Sequence, residues 1–344
     1  MDIIAKAWYL VKNGPADQAF ELRDVSVPSP AKGQLRIKVA AIGINYADIM
    51  SRHGVYRAAP PLPFIPGYDV AGYIDTLGED IEGLSVGDRV VAMVRFGGYS
   101  QYVVTDANAV AKLDATTPFA EASALAVQGM TAYYSAYHAQ TLLPGEKILI
   151  HAAAGGVGTA LTQLCKAKGC YVIGLVSNDE KAEYFRSQGG DLAINHKNED
   201  YTQVLEKKFG EHSIDVIFDN VGGKSVQKAK SLLADAGRIV SYGAAVMSGK
   251  KSMIKTLRLL TGFGVFSPIA YLSKSQHFIG VNLIPVADNR PDMLSHCLKK
   301  TVECYENGIL KPYVGKTFSF ENLPESHSFI ESRQSMGKIV VMVE

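Results

Sequence analysis

From residue 147 onward, short apolar runs alternate with segments whose apolar residues recur at helical spacing. The runs fall at 147–150, 171–175, 192–195, 216–219, 238–242 and 278–281. Helical periods separate the first five, as at 179–188 and 224–233. Six such strands with helical crossovers predict a doubly wound parallel sheet. Earlier in the chain the rhythm differs. Runs at 35–40, 70–76 and 88–92 are punctuated by Pro28-Ser29-Pro30, Pro60-Pro61-Leu62-Pro63, Pro66-Gly67 and Val86-Gly87-Asp88. That pattern predicts an irregular β domain. A helix at 293–307 and a closing strand at 338–343 return to this style. The expected organisation is therefore 1–125, first part of a β-type catalytic domain; 126–286, a nucleotide-binding α/β domain; and 287–344, completion of the first. An active site is expected in the cleft between two such domains.

The first strand of the set leads into His151-Ala152-Ala153-Ala154-Gly155-Gly156-Val157-Gly158, and a helical period follows. Strand, glycine turn and helix in this order form the setting in which a loop holds a dinucleotide pyrophosphate. Gly155 lets the backbone approach the phosphates, Gly158 lets the helix pack on the strand, and the helix N-terminus offers N–H groups to the anion. Gly156 and Val157 complete the turn. Ala153 stands where the first glycine of G-x-G-x-x-G belongs. The second strand ends Gly174-Leu175-Val176-Ser177-Asn178 with no acid at its tip for a ribose hydroxyl. Ser177 and Lys181 suit a 2′-phosphate, which favours NADPH; in the competing reading Lys181 is a solvated helix residue and Asp179 binds the ribose.

Composition narrows the function classes. Of 344 residues, 47% are hydrophobic, enough for two cores, and a net charge of +1 gives no reason to expect nucleic acid. Cys165, Cys170, Cys297 and Cys304 lack C-x-x-C spacing, so a disulfide framework or zinc site is not expected and a reducing, cytoplasmic setting fits. Cys297 and Cys304 read as one buried helix face. The start, Met1-Asp2-Ile3-Ile4, reads as strand rather than signal peptide. The uncharged stretch 122–145 contains Gln128, Gly129, His138, Gln140 and Pro144, which argues against a membrane span.

Gly43-Ile44-Asn45-Tyr46-Ala47-Asp48, Pro66-Gly67-Tyr68-Asp69-Val70-Ala71-Gly72, Val86-Gly87-Asp88-Arg89-Val90 and the 153–158 loop occur in order. Together they resemble the medium-chain dehydrogenase/reductase superfamily over essentially the whole chain, specifically its zinc-independent quinone oxidoreductase branch. Gly54-Val55-Tyr56, the prolines at 60–66 and the insert after Gly243 are most similar to the vesicle-amine-transport-protein-1-like subgroup. The resemblance implies a Rossmann cofactor domain beside a GroES-like, β-barrel-like catalytic domain. In zinc members, the first cysteine ligand corresponds to Asn45, the His-Glu pair to Tyr68-Asp69, and a later cysteine falls near Val127. Only Asp69 remains as a ligand, and the four-cysteine lobe is missing, so no metal is expected. Without a Lewis acid, alcohol dehydrogenation is disfavoured. Hydride delivery to a quinone or an α,β-unsaturated carbonyl needs no metal, since the cofactor carries that chemistry.

The resemblance also assigns residues. It places Asn45 and Tyr46 in a loop facing the nicotinamide, where Asn45 hydrogen-bonds cofactor or substrate; otherwise Asn45 is a turn residue. Tyr56 matches a tyrosine near the substrate in enoyl-thioester reductases, as a proton donor or as packing. Asp48 reads as structural. Gln128 and Thr131 match contacts to the nicotinamide amide or ribose, or supply polarity at a helix start. Gly243 ends the fifth strand beside the cofactor, His196 flanks the adenine or is a surface residue, and Phe278 and Asn282 belong to the nicotinamide-side strand and loop. Arg333 matches a position that reaches the 2′-phosphate, or is a solvated cation. The edge strand at 278–281 implies a homodimer.

One segment departs from a plain reductase. Residues 236–287 hold no Asp or Glu but include Arg238, Lys250, Lys251, Lys255, Arg258 and Lys274. Lys251, Lys255 and Arg258 share a helical face opposite Met253, Leu257 and Leu260. This is a substrate lid broken at Gly262, Gly264 and Pro268, or, as the less favoured reading, a helix lying on an anionic membrane. The function expected is an NADPH-dependent, metal-free reductase of a small quinone or carbonyl substrate. The alternatives are an enoyl-thioester reductase using Tyr56, or a nucleotide-binding, membrane-associated interaction protein.

Overall fold

A computed structural model describes residues 1–243, 262–263 and 267–343. The basic helical face expected at Lys251, Lys255 and Arg258, and Gly264 with it, lie outside the described residues. Pro268 is described, and it opens a short helix, Pro268–Leu272, at its first position. The chain forms two compact units, Met1–Met130 with Leu283–Glu344, and Thr131–Asn282.

The first unit is a β domain. A hairpin pairs β1 (Ile3–Leu10) with β2 (Phe20–Val27). The main sheet contains β3 (Gln34–Ile44), β4 (Asp69–Leu77), β5 (Arg89–Met93), β6 (Tyr102–Asp106) and β7 (Val110–Lys112). The chain's last two strands, β14 (Val314–Ser319) and β15 (Lys338–Met342), join the same sheet. The order is β14-β15-β3-β4-β5-β7, with β6 also pairing β3. The apolar run at 35–40 accounts for only part of β3. The strand continues to Ile44 because Ala41 to Ile44 pair antiparallel with Met342 to Ile339, a partner some 300 residues away. Leu35, Ile37, Ile42, Val70, Ile74, Val90 and Val341 form the core of this unit, each 1% exposed or less.

The second unit is a six-stranded parallel sheet. Its strands are β8 (Lys147–Ile150), β9 (Tyr171–Val176), β10 (Leu192–Asn195), β11 (Ile214–Asp219), β12 (Leu233–Ser241) and β13 (His277–Gly280). The order is β10-β9-β8-β11-β12-β13 and every pairing is parallel. Crossover helices link the first five strands: after α1 (Tyr46–Arg52) of the other unit come α2 (Gly156–Ala167), α3 (Asp179–Ser187), α4 (Tyr201–Phe209) and α5 (Lys224–Lys230). Ile148, Leu149, Ile150, Ile217 and Phe218 are fully buried. Helices cover both faces of a parallel sheet, which is why these strands read as continuous apolar runs. The order reverses between β8 and β11, and residues following the carboxyl ends of such strands are where this architecture builds ligand sites.

Back in the first unit, α6 (Pro291–Glu306) buries Cys297 and Cys304 on one face, as the sequence spacing predicts. The segment at 122–145 contains two five-residue π-helical turns, Leu125–Gly129 and Tyr134–His138. No helix among the described residues is long and apolar enough to cross a membrane.

Candidate active site

In the catalytic domain the site starts at the N-terminus of α1. Asn45 caps the helix from extended backbone, and the Asp48 carboxylate accepts the Asn45 N–H at 2.8 Å, holding the turn. The Asn45 side chain faces inward. Its Nδ2 donates to Asp69 Oδ2 at 2.7 Å and, more loosely, to the Gly43 carbonyl, while its Oδ1 accepts from Lys338 Nζ at 2.9 Å. Lys338 also donates to Asp69 Oδ2, and Asp69 Oδ1 accepts the Val127 N–H at 2.6 Å. Asp69 is 0% exposed and Lys338 1%. A buried ion pair stands only when its remaining hydrogen-bonding capacity is met, and Asn45 and Val127 meet it here. Burial pushes the Asp69 carboxyl up, against the pull of Lys338. Asn45 thus has both ends of its amide engaged inside the fold.

Beside this network lie two phenols. The Tyr56 and Tyr68 rings meet edge to face with centroids 6.2 Å apart, and Tyr68 also packs on Phe96 at 4.9 Å. Tyr68 is buried and its hydroxyl has no hydrogen-bond partner, whereas Tyr56 is half-buried. Burial pushes the Tyr56 phenol up, and the nearby Asp48 carboxyl adds to this. Tyr46, the first residue of α1, is 39% exposed. The Gln128 carbonyl oxygen, in the first π-helical turn, is buried without a partner. Arg333 is exposed, just past α7 (Leu323–Glu331), with φ at 60°.

In the cofactor domain, Gly155 caps α2 and the helical ladder begins with the Thr159 N–H on the Gly155 carbonyl at 2.8 Å. The N–H groups of Gly156, Val157 and Gly158 precede that first rung, as at any helix start. A Cβ on Gly158 would lie 2.6 Å from the Ala152 carbonyl oxygen and 2.7 Å from Ala153 Cα, so only glycine lets the helix approach its loop this closely. The alanine at 153 is accommodated from the neighbouring strand. A Cβ on Gly174 would lie 2.7 Å from Ala153 Cβ, so β9 yields the space the loop takes.

The other expected residues of this domain mostly follow strand ends. Ser177 follows β9, His196 follows β10, Gly243 lies two residues past β12 and Asn282 two past β13. Lys181 is the third residue of α3, where burial lowers its pKa, the Glu180 carboxylate opposes the fall and the Lys197 ammonium adds to it. Phe278 lies within β13, half-buried, and Thr131, 9% exposed, is at the unit's first residue.

Three features escaped sequence reading. Lys338 reads as the polar start of an apolar strand, and its inward orientation depends on a partner 269 residues away. Lys197 is an ordinary loop lysine until the fold sets it near Lys181. At the switch point, His151 Nδ1 and Asp219 Oδ1 lie 2.6 Å apart and the Ser225 hydroxyl donates to Asp219 Oδ1 at 3.1 Å. Burial works against the Asp219 charge, yet the His151 contact holds its carboxyl below the usual range. Strand-end positions of His151 and Asp219 were the available signal.

Comparison with known proteins is consistent with this anatomy. Residues 156–280 match the family described as zinc-binding dehydrogenase, and residues 31–147 match the alcohol dehydrogenase GroES-like domain. The human synaptic vesicle membrane protein VAT-1 homolog is 30% identical over 323 residues, 93% of this chain and 81% of its own. Human quinone oxidoreductase is 29% identical over 322 residues, 93% of this chain and 92% of its own. The crystal structure of Escherichia coli quinone oxidoreductase complexed with NADPH superposes with a TM-score of 0.85 at 27% identity, covering 98% of this chain and 100% of that one.

The zinc in the first family's description does not fit the residues present. Asn45 and Asp69 do converge, but on the Lys338 ammonium, and the other Asp69 oxygen is taken by the Val127 N–H. Catalytic zinc needs three N, S or O ligands. Among the described residues no group of three His, Cys, Asp or Glu is placed to hold a metal. With a Rossmann-type parallel sheet and a separate GroES-like domain, each matched by its own family, this chain belongs to the medium-chain dehydrogenase/reductase superfamily.

Proposed function

We propose that this chain is an NADPH-dependent oxidoreductase that reduces a quinone or an α,β-unsaturated carbonyl without a metal. The observation that carries the reading is the Lys338 ammonium bound to Asp69 and Asn45, where zinc members of the superfamily hold their metal. A fixed cation there leaves a divalent ion neither charge nor ligands. The glycine loop fits a pyrophosphate, with Gly158 set against the Ala152–Ala153 backbone and the α2 N-terminus open to an anion. Lys181 and Lys197 fit a 2′-phosphate. The Escherichia coli relative, a quinone oxidoreductase, binds NADPH in its crystal structure.

NADPH, when bound, supplies the hydride, and the reduced acceptor then needs one proton. The chain's task is orientation and proton supply. Tyr56, the phenol that the resemblance sets near the substrate, is the donor we assign. Steady-state consumption of NADPH with ortho-quinones and with 2-enoyl compounds tests the proposal; turnover of at least one class is expected, and turnover of neither sinks it.

Cofactor preference gives a sharper test. Hydrogen bonds to charged groups contribute about 1.5–3 kcal/mol. Lys181→Ala is therefore expected to weaken NADPH binding roughly 10–100-fold while leaving NADH nearly unchanged. Fluorescence titration with both nucleotides reads this, and an equal loss for both would remove Lys181 from the phosphate site.

A further inference from the structure

Between α1 and β4 the chain forms neither helix nor strand, and Tyr56 lies in that stretch. Its backbone turns are local. The Gly54 N–H donates to the Ser51 carbonyl at 2.9 Å, the Val55 N–H to the Met50 carbonyl at 3.1 Å and the Ala59 N–H to the Tyr56 carbonyl at 3.1 Å. These turns are tied to the rest of the domain at the end of α1. Arg52 is 1% exposed, and it donates through Nη1 to the Gly14 carbonyl at 2.7 Å and through Nη2 to the Glu331 carboxylate. His53, the C-terminal cap of α1, meets the other Glu331 oxygen through Nε2 at 2.5 Å. Gly54, with φ at 67°, lies against the Asn13 side chain, where a Cβ would come within 2.6 Å of Nδ2.

Glu331 is the last residue of α7. The C-terminal end of a helix carries partial negative charge, so a carboxylate there is placed against the helix's own field. Arg52 and His53 offset this, one on each oxygen. The buried Arg52 guanidinium needs its partner equally. α7 is also a firm support. One turn before Glu331, His327 is fully buried, its Nε2 pairs with the Tyr99 hydroxyl at 2.8 Å and its ring meets Phe20 edge-on at 4.8 Å. Burial holds the His327 imidazole well below its usual range, with Arg52 and His53 adding to the fall.

We propose that Glu331 is the positioning residue for the proton donor, fixing through Arg52 and His53 the turn from which Tyr56 reaches the reduced acceptor. Glu331 has this task only if Tyr56 is the donor of the reductase proposed above. It acts through the turn and not on the reacting atoms. A donor phenol must stand within hydrogen-bond reach of the atom it protonates. A misplacement of about 1 Å can cost about 100-fold in rate. Tyr56 is only three residues past His53, so a shift at the cap is passed on to the phenol.

Glu331→Gln keeps the size of the side chain and one carbonyl oxygen for Arg52 but offers His53 no second acceptor. Hydrogen exchange reads the tie without any acceptor present. The Gly54, Val55 and Ala59 amides are expected to exchange at least ~10-fold faster in the variant, with those of β8 and β9 at native rates. Turnover reads the consequence. Glu331→Gln is expected to lose about 10–100-fold in kcat with NADPH affinity unchanged. In a Tyr56→Phe background the same substitution is expected to remove less than about twofold more, because the group it positions is already gone. A merely structural role for Glu331 would multiply the two losses. Where Glu331→Gln does not fold, His53→Ala decides, since it leaves Arg52 paired with Glu331; faster exchange at Gly54 and Val55 and a smaller loss of kcat are expected of it.

Native exchange at these amides overturns the proposal, whatever the turnover. So does a native kcat, or a double variant whose losses multiply, and in both cases the reductase reading stands. If the native protein turns over neither acceptor class while exchange still responds to Glu331→Gln, the reductase reading fails and takes the positioning role with it.

Discussion

Replacing Lys338 by methionine is expected to destabilise the catalytic domain by about 3–5 kcal/mol, the range seen when one partner of a buried ion pair is removed. The size follows from the geometry. Asp69 is fully buried, one of its oxygens is held by the Val127 N–H and the other is shared between Asn45 and Lys338. Methionine fills the space but leaves the carboxylate uncompensated and the Asn45 carbonyl oxygen without its donor. Burial already pushes the Asp69 carboxyl up, so losing Lys338 pushes it further and Asp69 takes a proton to fold. The sign of the pH effect follows. A folded-state pKa above the unfolded one gives stability that is present at low pH and lost as pH rises. The variant is therefore expected to be least impaired in acid and most impaired at neutral pH and above. Chemical denaturation of Lys338→Met, Asp69→Asn and the double variant at two pH values measures this. The double variant is expected to recover much of the loss, because the charge that needed a partner is gone. Additive losses would show that Lys338 and Asp69 are not coupled as the fold suggests.

The second large effect is expected at the glycine loop. Gly158→Val is expected to lower NADPH affinity by at least ~100-fold, about 2.7 kcal/mol. A Cβ at this position meets backbone, with the Ala152 oxygen at 2.6 Å, Ala153 Cα at 2.7 Å and the Ala153 oxygen at 2.8 Å. Backbone cannot turn aside as a flexible side chain can, so α2 must withdraw from the loop. The N–H groups at its first turn then no longer face the phosphates together. Overpacking of this kind also costs about 1–3 kcal/mol of domain stability. Fluorescence titration and thermal unfolding of the same preparation separate the two effects. An unchanged NADPH Kd would mean that the pyrophosphate does not sit at this helix start.

Legibility in the sequence followed the range of the interactions involved. The cofactor domain was readable because its information is local. The central strands β8, β9 and β11 are apolar and largely buried, and Gly155 and Gly158 each answer a contact with the nearby Ala152 backbone. The β domain was less readable because its strands are defined by distant partners. β3 extends to Ile44 because β4 and β15 lie on either side of its second half, and the polar strand β2 exists because β1 pairs along its full length. The same holds at the site. Asn45 and Asp69 stood out as occupants of ligand positions, but nothing adjacent indicated that Lys338 would stand between them. Asp48 read as a loop-holding residue, and it does hold the loop at Asn45. Lys181 had a role from its place after a strand without an acidic tip, whereas Lys197 gained one through tertiary proximity alone.

The proposed reductase works with an internal ammonium at the position where, by the resemblance, zinc relatives hold a metal. It is tested most directly by measuring zinc content and NADPH turnover with an ortho-quinone on one chelator-treated preparation. Far less than one zinc per chain is expected, with turnover equal to that of the untreated protein. Stoichiometric zinc, or activity that chelation abolishes and zinc restores, would contradict it.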